Sequence, residues 1–198
     1  MKTILFQGDS ITDCNRLRPT DNKLQRIKAK LFKKTPLGNG YPSLVAKELG
    51  KEYTYINRGV SGDRVPDVYA RIVRDIIKIK PDCMSILVGV NDVWHGFDRN
   101  NGTGIERYEK VYNMLIEEIK AELPETEIMI MEPFVSEGFA TANREGQPHR
   151  LQNFRKEVEE VAAVAKKLSK KHNLKFIPLQ AELSKAAEKE GAKNILSD

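Results

Sequence analysis

Short runs of β-forming residues, each ending in glycine or proline, are separated along this chain by longer stretches of helical period. Thr3–Phe6 leads into Gly8-Asp9-Ser10, Tyr53–Asn57 into Arg58-Gly59, Met84–Val88 into Gly89, and Glu127–Met131 into Pro133. Lys175–Pro178 is a shorter fifth candidate. Between these runs Val68, Ile72, Ile76 and Ile79 recur at helical spacing. So do Tyr108, Val111, Tyr112, Leu115 and Ile119, and then Leu151, Phe154, Val158, Val161 and Leu168. Thr103 and Glu106 have the spacing of a capping box for the second of these helices, and Asn173 is placed to stop the third. Strands alternating with amphipathic helices build a parallel sheet covered on both faces. Right-handed crossovers narrow the topology to a doubly wound α/β domain. No repeat or linker divides the 198 residues. One domain over 1–198 is expected, burying about 70% of its unfolded surface.

Composition acts by exclusion. Hydrophobic residues at 40% and charged residues at 31% describe an ordinary globular chain. Apolar stretches such as Ser85–Val90 fall far short of the roughly 20 residues a membrane span needs, so no membrane partner is expected. Met1 leads directly into a strand with no apolar leader between, and a cytoplasmic location is expected. The net charge is +5, with Arg16, Arg18, Lys23, Arg26, Lys28, Lys30, Lys33 and Lys34 crowded into one segment against Asp21 alone. Only Phe32 interleaves an aromatic there, so the segment reads as a solvated basic flap and no nucleic-acid partner is expected. Cys14 and Cys83 fall at opposite ends of adjacent strands, about 17–20 Å apart, and should be separate thiols. No Cys/His cluster has zinc spacing, so neither metal nor cofactor is expected.

Ligands bind such sheets at the carboxyl ends of the strands. Three loops there hold small or polar residues that a plain turn would not demand: Gly8-Asp9-Ser10-Ile11-Thr12-Asp13, Asn57 to Asp63, and Gly89-Val90-Asn91-Asp92. With the first strand between the second and third, these loops converge. A serine there can be a nucleophile, and its own N–H, a glycine N–H and an asparagine amide can point at one developing oxyanion. Leu17–Asn39 and Val135–Pro148 read as longer segments over the same edge.

The three motifs together resemble those of the SGNH hydrolases, the GDSL esterases and lipases, over essentially the whole chain. The flanking Gly40-Tyr41-Pro42 and Val93-Trp94-His95 resemble the carbohydrate-esterase-like members more than the thioesterase-like ones. The resemblance implies a flavodoxin-like three-layer α/β/α fold with a five-stranded parallel sheet ordered 2-1-3-4-5. It implies Ser10 as nucleophile, with the Ser10 N–H, Gly62 N–H and Asn91 amide as the oxyanion hole. The family completes its site with Asp-x-x-His, whose histidine is the base and whose aspartate orients it. Asp198 matches that aspartate, and the matching histidine would stand three residues later, beyond the sequence given, as would the last helix. The expectation is that the natural protein continues past Asp198 and supplies them.

The three histidines present have other readings. His172 is expected to be a helix-terminal cation, His149 a loop residue, and His95 a wall of the pocket beside Trp94. Asp9 and Thr12 are expected to hold the nucleophile turn, Asp9 also bordering the substrate, and Asp92 to brace the loop of Asn91. Asp63 and Arg64 either pair across the mouth or lie exposed. The resulting expectation is a serine esterase for short, chiefly acetyl, esters on carbohydrate. The competing expectations are a non-catalytic glycan- or anion-binding module without a base, and a phosphate binder using Gly8–Thr12 as an anion loop.

Overall fold

The structure is a computed structural model describing residues 1–18, 22–24, 27, 34–138 and 140–191. Its strands are β1 (Lys2–Gly8), β2 (Tyr53–Asn57), β3 (Cys83–Leu87), β4 (Glu127–Met131) and β5 (Lys175–Ile177). They form one five-stranded sheet in the order β2-β1-β3-β4-β5, parallel throughout. The helices are α1 (Ser10–Asp13), α2 (Tyr41–Leu49), α3 (Val65–Ala70), α4 (Val90–Arg99), α5 (Ile105–Glu122), α6 (Arg150–Lys171) and α7 (Gln180–Glu190). The core is built from the sheet residues Leu5, Met84, Ile86 and Ile130 and from the stripes of Tyr108, Tyr112, Leu115 and Ile119 on α5 and of Phe154, Val158, Val161 and Leu168 on α6.

Local chemistry modifies the expected boundaries. Val68, Ile72 and Ile76 are buried as the spacing requires, but α3 gives way to a π-helical segment over Val73–Ile77. There the Lys78 N–H reaches back five residues to the Val73 carbonyl at 3.0 Å. The capping box at Thr103 does not form. Gly104 is the N-cap of α5, at φ +69°, and no side chain caps the helix. At the end of α6, Asn173 does adopt the left-handed conformation, φ 54°. Its N–H donates to the Lys170 carbonyl at 3.2 Å and that of Leu174 to Ser169 at 2.8 Å, the two bonds of a Schellman stop.

One helix lies differently from the rest. α5 and α6 descend from the carboxyl edge of the sheet to the starts of β4 and β5, so their first residues stand at that edge. α4 follows β3, and its Asp98 pairs with Arg150, the first residue of α6, at 2.9 Å. α4, about 15 Å long, is thus joined to the start of α3 through Asp92 and to the start of α6 through Asp98.

Arg150 is 1% exposed. Its guanidinium donates to the Ala140 carbonyl at 3.0 Å, to Gln147 Oε1 at 2.7 Å and to Asp98 Oδ2 at 2.9 Å, and it lies 5.6 Å from the Phe97 ring centre. The β4–α6 loop is thus gathered around one buried cation. Arg150→Ala should lower unfolding stability by about 3 kcal/mol. Urea denaturation checks this, and a midpoint unchanged from wild type would contradict it.

Candidate active site

The first loop turns sharply between β1 and α1. A Cβ on Gly8 would stand 2.3 Å from the Leu87 carbonyl oxygen and 2.4 Å from Thr12 Oγ1, so only glycine allows that approach. Asp9 caps α1, its Oδ1 accepting from the Ile11 N–H at 3.0 Å. Ser10 follows as the first, exposed residue of the helix. The Thr12 hydroxyl lies 3.2 Å from the Tyr41 hydroxyl, which lies 3.4 Å from Ser85 Oγ and anchors the turn to β3.

The second loop is fastened onto the first. Asn57 Nδ2 donates to the Thr12 carbonyl at 2.6 Å and to Leu37 at 2.8 Å, while its Oδ1 accepts from the Gly59 N–H at 2.8 Å. The Val60 N–H donates to the Gly8 carbonyl at 3.0 Å. Gly59 packs so closely that a Cβ would sit 2.3 Å from the Asp13 nitrogen. Gly62 has open space where a Cβ would be, but its φ of +87° is left-handed, and glycine is needed there for conformation. Asp63, next in the chain, accepts from Arg71 Nε at 2.7 Å, and Arg71 also donates to Asp75 Oδ2 at 2.6 Å.

The third loop closes the arrangement. Asn91, 8% exposed in the first turn of α4, donates its amide to the Asp63 carbonyl at 3.1 Å. Gly62 is therefore held between Val60, bonded to Gly8, and Asp63, bonded to Asn91. This chain of hydrogen bonds brings Ser10, Gly62 and Asn91 to one place. Asp92 accepts from the Val65 N–H at 3.1 and 3.2 Å, bracing α4 against α3.

Two carboxyl groups lie under this site. Burial pushes Asp9 up to about 7, with the charges of Asp92 and Asp63 acting in the same direction against the Ile11 hydrogen bond. Burial likewise pushes Asp92 up to about 7 against its hydrogen bonds. Asp9 is 1% exposed, and its Oδ2 has no hydrogen-bond partner among the described residues.

Other expectations divide. Trp94 is half-buried, its indole N–H donating to Asp98 Oδ2 at 2.6 Å and its ring set edge-on to Phe154. His95 is buried, and burial lowers its affinity for a proton, as do Arg99 and Arg64, against Asp67. His149 is exposed at the N-cap of α6. His172 caps the other end, but burial and the neighbouring Lys171 and Lys120 lower its pKa, so its surroundings oppose the helix-terminal cation expected of it. Asp63 and Arg64 do not pair with one another: Asp63 binds Arg71, and Arg64 Nε binds Asp67 at 2.9 Å. The basic segment is not wholly a solvated flap. Arg16 is buried, donating to the Gly59 carbonyl at 3.0 Å beside Asp13, and Arg18 pairs with Asp13 at 2.6 Å. Arg26, Lys28, Lys30, Lys33 and Asp198 lie outside the described residues. Cys14 and Cys83 are separate thiols. Among the described residues no helix is long and apolar enough to cross a membrane.

Residues 6–194 match the profile of the GDSL-like lipase/acylhydrolase family. The chain belongs to this family. Its acetylxylan esterase relative from Geobacillus stearothermophilus is 32% identical over 187 residues, spanning 90% of this chain and 76% of the relative. The crystal structure of an acetylxylan esterase from that organism superposes with a TM-score of 0.73 at 29% identity, covering 98% of this chain and 83% of the other. A GDSL-like lipase structure from Parabacteroides merdae gives a TM-score of 0.77 at 30% identity, covering 98% of this chain and 84% of the other. Variants of the Geobacillus esterase described as catalytic mutants replace a serine, an aspartate and a histidine. The SGNH hydrolase resemblance and the 2-1-3-4-5 sheet are borne out, and the protein is a carboxylic ester hydrolase with carbohydrate-esterase relatives.

A carboxyl held at about 7 in the fold, against about 3.9 unfolded, binds its proton more tightly when folded. Its contribution to stability is complete below pH ~4 and is lost as the pH rises toward ~7. Asp9→Asn keeps the acceptor for Ile11 and removes the ionisation. Urea midpoints at pH 5 and pH 8 should differ less in the variant than in wild type; equal differences would contradict this assignment.

Proposed function

We propose that this protein is a serine esterase that removes acetyl and other short acyl groups from carbohydrate. The observation that carries the reading is the hydrogen bonding to one another of the three loops that hold Ser10, Gly62 and Asn91. Ser10 Oγ attacks the ester carbonyl, and its proton passes to a base. Negative charge develops on the carbonyl oxygen, which the Ser10 N–H, the Gly62 N–H and the Asn91 amide receive. Collapse expels the sugar oxygen, which takes the proton held by the base, and leaves an acyl-serine; water then gives a proton to the base and attacks the acyl carbon, and the base returns that proton to Ser10 Oγ as the acid leaves.

In this reading the base is a histidine of an Asp-x-x-His pair whose aspartate is Asp198. The acetylxylan esterase relative, in which a serine, an aspartate and a histidine bear the catalytic substitutions, supports both the reaction and an acetylated xylan-type substrate. The Asn91–Asp63 hydrogen bond is consistent with the same role: it fixes the amide before any oxyanion forms, at no cost during the reaction.

The test is acetate release from acetylated xylo-oligosaccharides by the protein expressed with its natural gene's full coding sequence. Ser10→Ala should abolish turnover, and Asn91→Ala should lower kcat by about 10²–10³ with little change in KM. Full activity in Ser10→Ala, or a clear preference for long-chain acyl esters, would overturn the proposal.

A further inference from the structure

Asp98 receives an unusual set of donors. Its Oδ1 accepts from Arg144 Nη2 at 2.5 Å and pairs with Arg150 Nη1 at 2.9 Å. Its Oδ2 accepts from Arg150 Nη2 at 2.9 Å and from the Trp94 indole at 2.6 Å. Burial works to raise its pKa, but the hydrogen bonds from Arg150 and Arg144 outweigh that, and the group is held below the usual carboxylate range. Gln147 Oε1 accepts from both arginines, at 2.7 and 3.0 Å, and locks them to one another.

The place of this cluster gives it meaning. Asn91, Trp94 and Asp98 are spaced i, i+3, i+7 and share one face of α4. α4 starts after β3 and its end meets Arg144 and Arg150, so this stripe runs from the proposed oxyanion donor toward the β4–α6 loop. Asp98 stands about 10 Å from Asn91 along the axis, the reach of one or two sugar rings from the reacting ester. The β4–α6 loop meets the stripe there through Arg144 and Arg150. With its indole N–H bound to Asp98 and its ring perpendicular to that of Phe154, Trp94 is held in one orientation. A fixed, half-buried aromatic face is what a sugar ring packs on.

We infer that Asp98 is a positioning residue that fixes Trp94 and the β4–α6 loop as one wall of a subsite for the sugar on the alcohol side of the ester. Asp98 touches no substrate itself. Its carboxylate acts through Trp94 and through the two arginines. The inference rests on the carbohydrate-ester reading of the same site and adds to it the residues that select the alcohol.

Trp94 is the one tryptophan among these 198 residues, and its fluorescence reports this subsite. The probe is xylotetraose, which carries the alcohol side and no ester. Wild-type protein should show a saturable fluorescence change, and the Kd should weaken about tenfold in Asp98→Asn and in Arg144→Ala, with far-UV circular dichroism unchanged. Arg144 is half-exposed, so its variant decides the matter if Asp98→Asn fails to fold. No saturable change in wild type, or the same Kd in a folded variant, would overturn the inference. Acetate release from 4-nitrophenyl acetate by the protein expressed with its natural gene's full coding sequence separates the two readings. Release without xylotetraose binding leaves the esterase standing and removes the subsite. Variant-sensitive binding without release keeps the subsite and removes the esterase.

Discussion

A single buried amide holds the candidate site together. Asn57, the last residue of β2, donates to the carbonyls of Thr12 and Leu37 and accepts from the Gly59 N–H. These partners belong to the nucleophile turn, the approach to α2 and the β2 loop, segments far apart in sequence. All its bonds are to backbone, so they fix the path of the chain as well as side-chain positions. Gly8 and Gly59 let the backbones come close enough for this, and the bond from Val60 to Gly8 lies between them. From this fastening the β2 loop continues to Gly62 and Asp63, and Asp63 receives Asn91. Loss of the Asn57 contacts would leave each loop in place and the loops unaligned. Positioning to within a fraction of an ångström is what oxyanion stabilisation requires.

The charged groups follow a related logic. Arg16, Arg71 and Arg150 each bridge a carboxylate and a backbone carbonyl in a different segment, Arg71 joining Asp63 to the Gly8 carbonyl. Arginine suits this work because its planar fork serves several acceptors at once and keeps its charge when buried. Asp9 and Asp92, which lack such a partner among the described residues, are instead pushed toward neutrality. The cations thus sit where loops must be joined. Near the proposed oxyanion the buried carboxyl groups hold a proton more readily than exposed ones do, which lessens their opposition to a developing negative charge.

The sheet, its order and the three converging loops were legible because each leaves a periodic or local signature. β2 and β4 match the expected runs, and α5 and α6 follow their apolar stripes. Other features left no such trace. α7 buries no residue and α2 only Pro42, so neither has an apolar stripe to read. The π-helical segment preserves apolar residues at helical spacing and is invisible to a periodicity argument. Gly104 as N-cap depends on a positive φ that sequence does not display. Arg16 falls in a run that reads as a solvated flap because its contact with Gly59 is set by tertiary structure, and nothing near Arg150 in sequence signals Asp98, 52 residues away. Ser10, Gly62 and Asn91 were legible through motif resemblance, whereas Asp98 has no motif and emerges only from its contacts with the β4–α6 loop.

The most direct measurement is a crystal structure of the protein phosphonylated by a fluorophosphonate, with the adduct oxygen standing for the oxyanion. The expected result is phosphorus bonded to Ser10 Oγ, with one phosphoryl oxygen about 2.7–3.1 Å from the Ser10 nitrogen, the Gly62 nitrogen and Asn91 Nδ2. An adduct whose oxygens all point to solvent, or phosphonylation at another residue, would contradict a single oxyanion site assembled from the three loops.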